Sequence, residues 1–136
     1  MTPISVIGLG LSRKDLTSEH EHIIHKADIL IGGKRHLEFF EDHPGLKKEI
    51  TADIQDVIQF IKEHMQTHTI TVISSGDPLF FGIGSALIRA LGPAQVCIYP
   101  NISTVAAAFS RIKSSWHDAR IVSLHGRNRQ SELLDV

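Results

Sequence analysis

Short β-branched apolar runs recur along this chain, and each stops at glycine, serine or proline before a helical pattern takes over. Residues 4–7, 27–31, 69–73 and 95–99 are such runs. They close at Gly8-Leu9-Gly10, Gly32-Gly33, Ser74-Ser75-Gly76 and Pro100. Runs of this length match strands, and apolar residues at consecutive positions belong in a sheet covered on both faces. Between them, Ile54, Val57, Ile58, Ile61 and Met65 return at helical spacing behind a capping Asp53. Ile83, Ala86, Leu87, Ala90 and Leu91 repeat the pattern and stop at Gly92-Pro93. Ile23, Ile24 and Ala27 mark a third helix, with Thr17 or Ser18 as its cap and Glu21 completing a capping box. Residues 34–41 read as helical until Pro44-Gly45, residues 48–51 as a short strand, residues 105–111 as a small-residue helix capped by Ser103, and residues 120–124 as a last strand. The alternation predicts an α/β fold, a mostly parallel sheet with helices on both faces.

The chain has 136 residues, 42% hydrophobic and 21% charged, with a formal net charge of −1. That suits one ordinary domain with its own core. No basic run argues for nucleic acid, and no segment reaches the ~18 apolar residues of a membrane span. The N-terminus lacks the charged and apolar regions of a secretion signal. The single cysteine, Cys97, lies in an apolar run and reads as a core residue in a reducing compartment, the cytoplasm. Nine histidines are scattered. His22 and His25 share a helix face, but no acidic motif of the HExxH kind accompanies them, so no metal site is expected.

In an open parallel sheet, ligands bind beyond the carboxyl ends of the strands. Three loops there are small and polar: residues 8–12, 74–78 and 100–104. Gly8-Leu9-Gly10 does not complete a dinucleotide fingerprint, because Arg13 holds the third glycine position and no acidic residue ends the second strand. A phosphate-loop lysine and a G-x-S-x-G elbow are also missing, which argues against nucleotide hydrolysis and serine hydrolysis.

The stretch Ser75-Gly76-Asp77-Pro78-Leu79-Phe80-Phe81-Gly82-Ile83-Gly84, at a strand end and ahead of a helix, resembles the signature loop of the tetrapyrrole (corrin/porphyrin) methylases. Three more pieces fall in the right order. Val6-Ile7-Gly8-Leu9-Gly10, followed by Leu16-Thr17, is similar to the family's first loop. Ala27-Asp28-Ile29-Leu30-Ile31-Gly32-Gly33-Lys34-Arg35 is similar to its second strand and exit. Tyr99-Pro100-Asn101-Ile102-Ser103-Thr104 resembles its P-G-[IV]-[ST]-[ST] loop. Leu11-Ser12 replace the first loop's proline-glycine, and Asn101 replaces the third loop's glycine. Gly32 to Leu37 and Ile121 to Arg127 resemble the branch that methylates carbon 5 of precorrin-7, or of its cobalt form, in cobalamin biosynthesis.

The resemblance implies S-adenosyl-L-methionine as methyl donor, folded between two α/β domains. Residues 1–118 would be the first domain and residues 119–136 the start of a truncated second, so activity of this piece alone is not expected. Gly76, Asp77 and Phe80 would contact the donor's methionyl part, with Ser103 and Thr104 from the third loop and Leu11 from the first. Asp77 reads equally as the cap of a helix beginning near Leu79, with Pro78 at its first position. Phe80 and Phe81 offer one ring to a ligand and one to the core. Lys34, Arg35 and Arg127 are candidates for the carboxylates of a tetrapyrrole, against a reading as surface charge. Gly33 stands where uroporphyrinogen-type members carry an aspartate, so no catalytic base carries over. Homodimerisation and a carbon-15 methylase/decarboxylase partner, fused or separate, are further implications. Two readings remain beside this one: another tetrapyrrole, diphthine or ribosomal RNA ribose methylase, and a non-catalytic α/β nucleotide-binding domain.

Overall fold

The computed structural model describes residues 2–124. Two compact units divide the chain, residues 1–104 and residues 105–136. The first holds five parallel strands: β1 Ile4–Gly8, β2 Ile29–Gly32, β3 Leu46–Glu49, β4 Ile70–Ser74 and β5 Val96–Tyr99. Their spatial order is β3-β2-β4-β1-β5. Helices α1 Ser18–Lys26, α2 Lys34–Leu37, α3 Ile54–His64 and α4 Ile83–Leu91 connect them. A 3-10 turn, Glu38–Phe40, continues α2.

The alternation of side chains along each strand sorts the core into two layers. Ile4, Val6, Ile29, Ile31, Ile70 and Val72 face α3 and α4, where Val57, Ile58, Ile61, Met65 and Leu87 meet them. Ile7, Leu30 and Ile73 face the other way, against Ile24 of α1 and Leu37 and Phe40 of the 34–40 segment. Connections running one way along the sheet thus pass over one face and those running back pass over the other, as right-handed crossovers require. The expected α/β sheet covered on both faces is present. The central strands β1, β2 and β4 are buried almost throughout, whereas β3 and β5 are partly exposed edges.

Several local expectations need correction. Thr17 caps α1, but its reciprocal partner is His20, whose Nδ1 accepts from the Thr17 N–H at 3.2 Å, while Glu21 turns to Arg13. Cys97 is exposed: Val96 and Ile98 pack on the α3–α4 side of edge strand β5, and Cys97 alternates to the opposite side. The α5 helix runs Thr104–Ile112, all but its first residue in the second unit, where the ring of Trp116 stacks on that of Phe109 with centroids 6.5 Å apart. Residues 120–124 form no strand. A strand is held by its ladder to a neighbour, and no described residue pairs with this run. No described helix is long and apolar enough to cross a membrane.

Candidate functional site

Strands β1 and β4 are neighbours, yet the chain leaves β1 toward β2 on one side and leaves β4 toward β5 on the other. Such a reversal opens a crevice at the carboxyl ends of the two strands. Here two glycines stitch its floor. The Gly10 N–H donates to the Gly76 carbonyl at 3.1 Å and the Gly76 N–H to the Gly10 carbonyl at 3.0 Å. Both residues have positive φ, +65° at Gly10 and +59° at Gly76, a region glycine enters without strain. Gly8, just before, is required by space: a Cβ there would lie 2.5 Å from the Gly76 carbonyl oxygen.

Above this floor lies a cleft of about 300 Å³, wholly within the first unit. The loop after β1 lines it with Leu9, Gly10, Leu11, Ser12, Arg13 and Leu16, the 34–40 segment with Arg35, His36, Phe39 and Phe40, and the loops after β4 and β5 with Ser75, Gly76, Asp77, Phe80, Ser103 and Thr104. Of the candidates drawn from the sequence, Leu11, Gly76, Asp77, Phe80, Ser103, Thr104 and Arg35 come together there. Lys34 does not; it borders a shallow depression with Glu38, Glu41, Lys47 and Glu49. Arg127 lies outside the described residues.

The Asp77 carboxylate joins two loops. Oδ1 accepts from the Leu79 N–H at 2.9 Å, closing an Asx turn, and Oδ2 accepts from the Asn101 N–H at 3.1 Å. The helix expected from Leu79 begins at Ile83 instead, with Gly82 as its N-cap. Phe81 has φ of +53°, which no right-handed helix accommodates. The Gly84 N–H bonds to the Pro78 carbonyl at 2.9 Å, packing the helix start against the turn. Phe80 borders the cleft and meets Phe81 edge-on with centroids 5.0 Å apart, and Phe81 is exposed, so neither ring is buried in the core as expected of one.

The first loop keeps its amide donors for itself. Asp15 Oδ2 accepts from Leu11 N–H at 2.8 Å and from Ser12 N–H at 3.3 Å. A dinucleotide fingerprint would turn such donors toward a pyrophosphate. Arg13, which the sequence did not single out, forks onto both Glu21 oxygens at 3.0 and 3.2 Å. It also bonds the Phe39 carbonyl and lies 4.7 Å from the Phe40 ring centre. It therefore ties α1 to the Phe39–Phe40 turn that lines the cleft. Arg35 has no ion pair among the described residues, and Phe39 beside it is 49% exposed. Burial lowers the pKa of His36, with the Arg35 charge adding to the effect. The roles of Arg13, His36, Phe39 and Asn101 have no signal in the local sequence, because each depends on residues distant in the chain or on burial. The other buried histidines hold structure: His43 Nε2 donates to the Ile24 carbonyl at 2.8 Å while its Nδ1 accepts from the Gly45 N–H.

The family model described as Tetrapyrrole (Corrin/Porphyrin) Methylases matches residues 3–136. The chain belongs to this family. Among tetrapyrrole methylase relatives, the cobalt-precorrin-7 C(5)-methyltransferase of Salmonella typhimurium is 37% identical over 125 residues, which cover 91% of this chain and 62% of that protein. The precorrin-6Y C(5,15)-methyltransferase (decarboxylating) of a Sinorhizobium species is 32% identical over 131 residues, 91% of this chain and 30% of that protein. The crystal structure of the precorrin-6Y methylase from Archaeoglobus fulgidus superimposes with a TM-score of 0.76 at 28% identity, covering 92% of this chain and 66% of that one. This tetrapyrrole methylase chain thus spans less than two thirds of the length of these relatives. The stretch that carries the resemblance in the sequence, residues 75–84, supplies Ser75, Gly76, Asp77 and Phe80 to the cleft.

Proposed function

We propose that this chain is the donor-binding part of an S-adenosyl-L-methionine-dependent C-methyltransferase that acts on carbon 5 of precorrin-7, or of its cobalt form, in cobalamin biosynthesis. The observation that carries the reading is a cleft walled by the signature loop in a chain 37% identical to a cobalt-precorrin-7 C(5)-methyltransferase. The residues present fit such a donor. A Cβ at Gly10 would lie 2.6 Å from that of Asp15, and Gly76, at φ of +59°, adds no side chain to the floor. Leu9, Leu11, Leu16 and Phe80 suit its apolar parts, and Ser75, Ser103 and Thr104 suit its polar ones.

The donor supplies a methyl group already activated on a sulfonium. What remains for the protein is alignment and exclusion of water. Gly76, Asp77, Phe80, Ser103, Thr104 and Leu11 hold one reactant. Arg35 offers a planar guanidinium to a carboxylate of the macrocycle, and the exposed Phe39 ring suits a flat conjugated face. Lys34 would assist only from outside the cleft, and Arg127 would act from the second domain. No side chain of the cleft is assigned as a general base.

In this proposal residues 1–118 form a first domain and a second begins at 119, with the active enzyme formed by both. The bifunctional Sinorhizobium relative supports a carbon-15 methylase/decarboxylase partner. A homodimer working in the cytoplasm completes the proposal. Isothermal titration of the full-length protein with S-adenosylhomocysteine tests it. Binding that weakens at least tenfold in a folded Asp77→Ala variant is expected. No binding by the wild type would overturn the donor assignment.

A further inference from the structure

Asn101 is half-buried at the exit of β5 and is not among the residues that line the cleft. Its side-chain N–H groups donate to the Gly8 carbonyl at 2.8 Å and to the Asp15 carbonyl at 3.1 Å. Its Oδ1 accepts from the Ile102 N–H at 2.8 Å, and its main-chain N–H reaches Asp77 Oδ2 at 3.1 Å. One residue therefore ties the loop after β1, the loop after β4 and its own loop after β5. The bonds join chain segments 24, 86 and 93 residues apart. All three loops supply cleft walls: Leu11 from the first, Asp77 from the second, Ser103 from the third.

We propose that Asn101 is a positioning residue that locks these three loops into one frame and so sets the affinity of the cleft without touching its ligand. The chemistry requires an amide. Two carbonyl oxygens need donors and one N–H needs an acceptor, and only a side chain carrying both serves. The Asn101 bonds lie at the strand exits and take no part in the ladders of the sheet, so the frame can loosen while the sheet stays folded. The affinity part rests on the donor reading above; the frame itself does not.

Hydrogen exchange and S-adenosylhomocysteine titration of the wild type, Asn101→Ala and Asn101→Asp test this. In Asn101→Ala, the amides of Gly10 and Gly76 should exchange at least tenfold faster, with those of β1, β2 and β4 unchanged, and the Kd should rise about tenfold or more. Asn101→Asp keeps the acceptor but turns a carboxylate toward two carbonyl oxygens, which raises the pKa of the introduced carboxyl. Its binding defect relative to wild type should therefore be larger at pH 7.5 than at pH 5.5, where protonation restores one donor. A residue that only fills space would give a defect independent of pH. Unchanged exchange at Gly10 and Gly76 in folded Asn101→Ala overturns the proposal, as does faster exchange with wild-type affinity. Faster exchange with no binding even by the wild type supports the frame and sinks the donor reading instead.

Discussion

Thr69 holds Asp28 with two donors. Its N–H reaches Oδ2 at 2.8 Å and its hydroxyl at 2.9 Å, while the Asp28 N–H bonds back to that hydroxyl at 2.9 Å. The clamp joins the starts of β2 and β4 across 41 residues of sequence. The Thr69 N–H, then its hydroxyl, favour the ionised form and lower the Asp28 pKa from its ordinary 3.8. The unfolded chain therefore takes up this proton first. The stability contributed is whole above about pH 3.8 and is lost as pH falls through the lower folded value. Urea denaturation of Asp28→Asn against wild type should show a gap at pH 6 that narrows by pH 3. His36 has the same sign at a higher pH. Burial, then Arg35, lower its pKa from 6.5, so acidification below 6.5 costs stability until the folded pKa is passed. Arg35→Ala should raise the His36 pKa part of the way back in an NMR titration, because burial remains.

At the scale of elements, the start of α4 sets helix propensity against packing. Replacing a helical glycine by alanine normally stabilises by about 1 kcal/mol. Gly84 is buried, and a Cβ there would meet the Pro78 carbonyl oxygen at 2.7 Å, with Pro78 itself bonded to the Gly84 N–H. Crowding against backbone outweighs propensity, so Gly84→Ala should destabilise by about 1–3 kcal/mol in urea denaturation. This corner was legible as a turn from Gly76, Asp77 and Pro78, but the helix onset was not. Asp-Pro reads as cap and first helical residue, and only the packing of Gly82 and Gly84 on Pro78 shows why the helix waits until Ile83. The α3 helix shows the opposite case. Its cap and apolar stripe are local, and Asp53 receives the Gln55 N–H at 3.0 Å as the pattern predicts.

Across the molecule, strand order decides what composition cannot. Cys97 reads as buried because its neighbours are apolar, yet β5 ends the sheet and Cys97 is exposed on it. Ellman's reagent should titrate this thiol in the folded protein, and Cys97→Ser should leave stability within about 0.5 kcal/mol of wild type. A buried thiol would react only on unfolding. The α/β class, the α3 and α4 stripes and the glycine corners at the strand exits were legible along the chain. Those follow from side-chain period and backbone sterics, which act over a few residues. Folding brings the rest: β1 lies beside β4, Gly10 meets Gly76, Arg35 reaches the cleft while Lys34 does not, and Asn101 binds three loops together. Each of those joins segments far apart in the chain, and their proximity is set by which strands pair and which face each crossover covers.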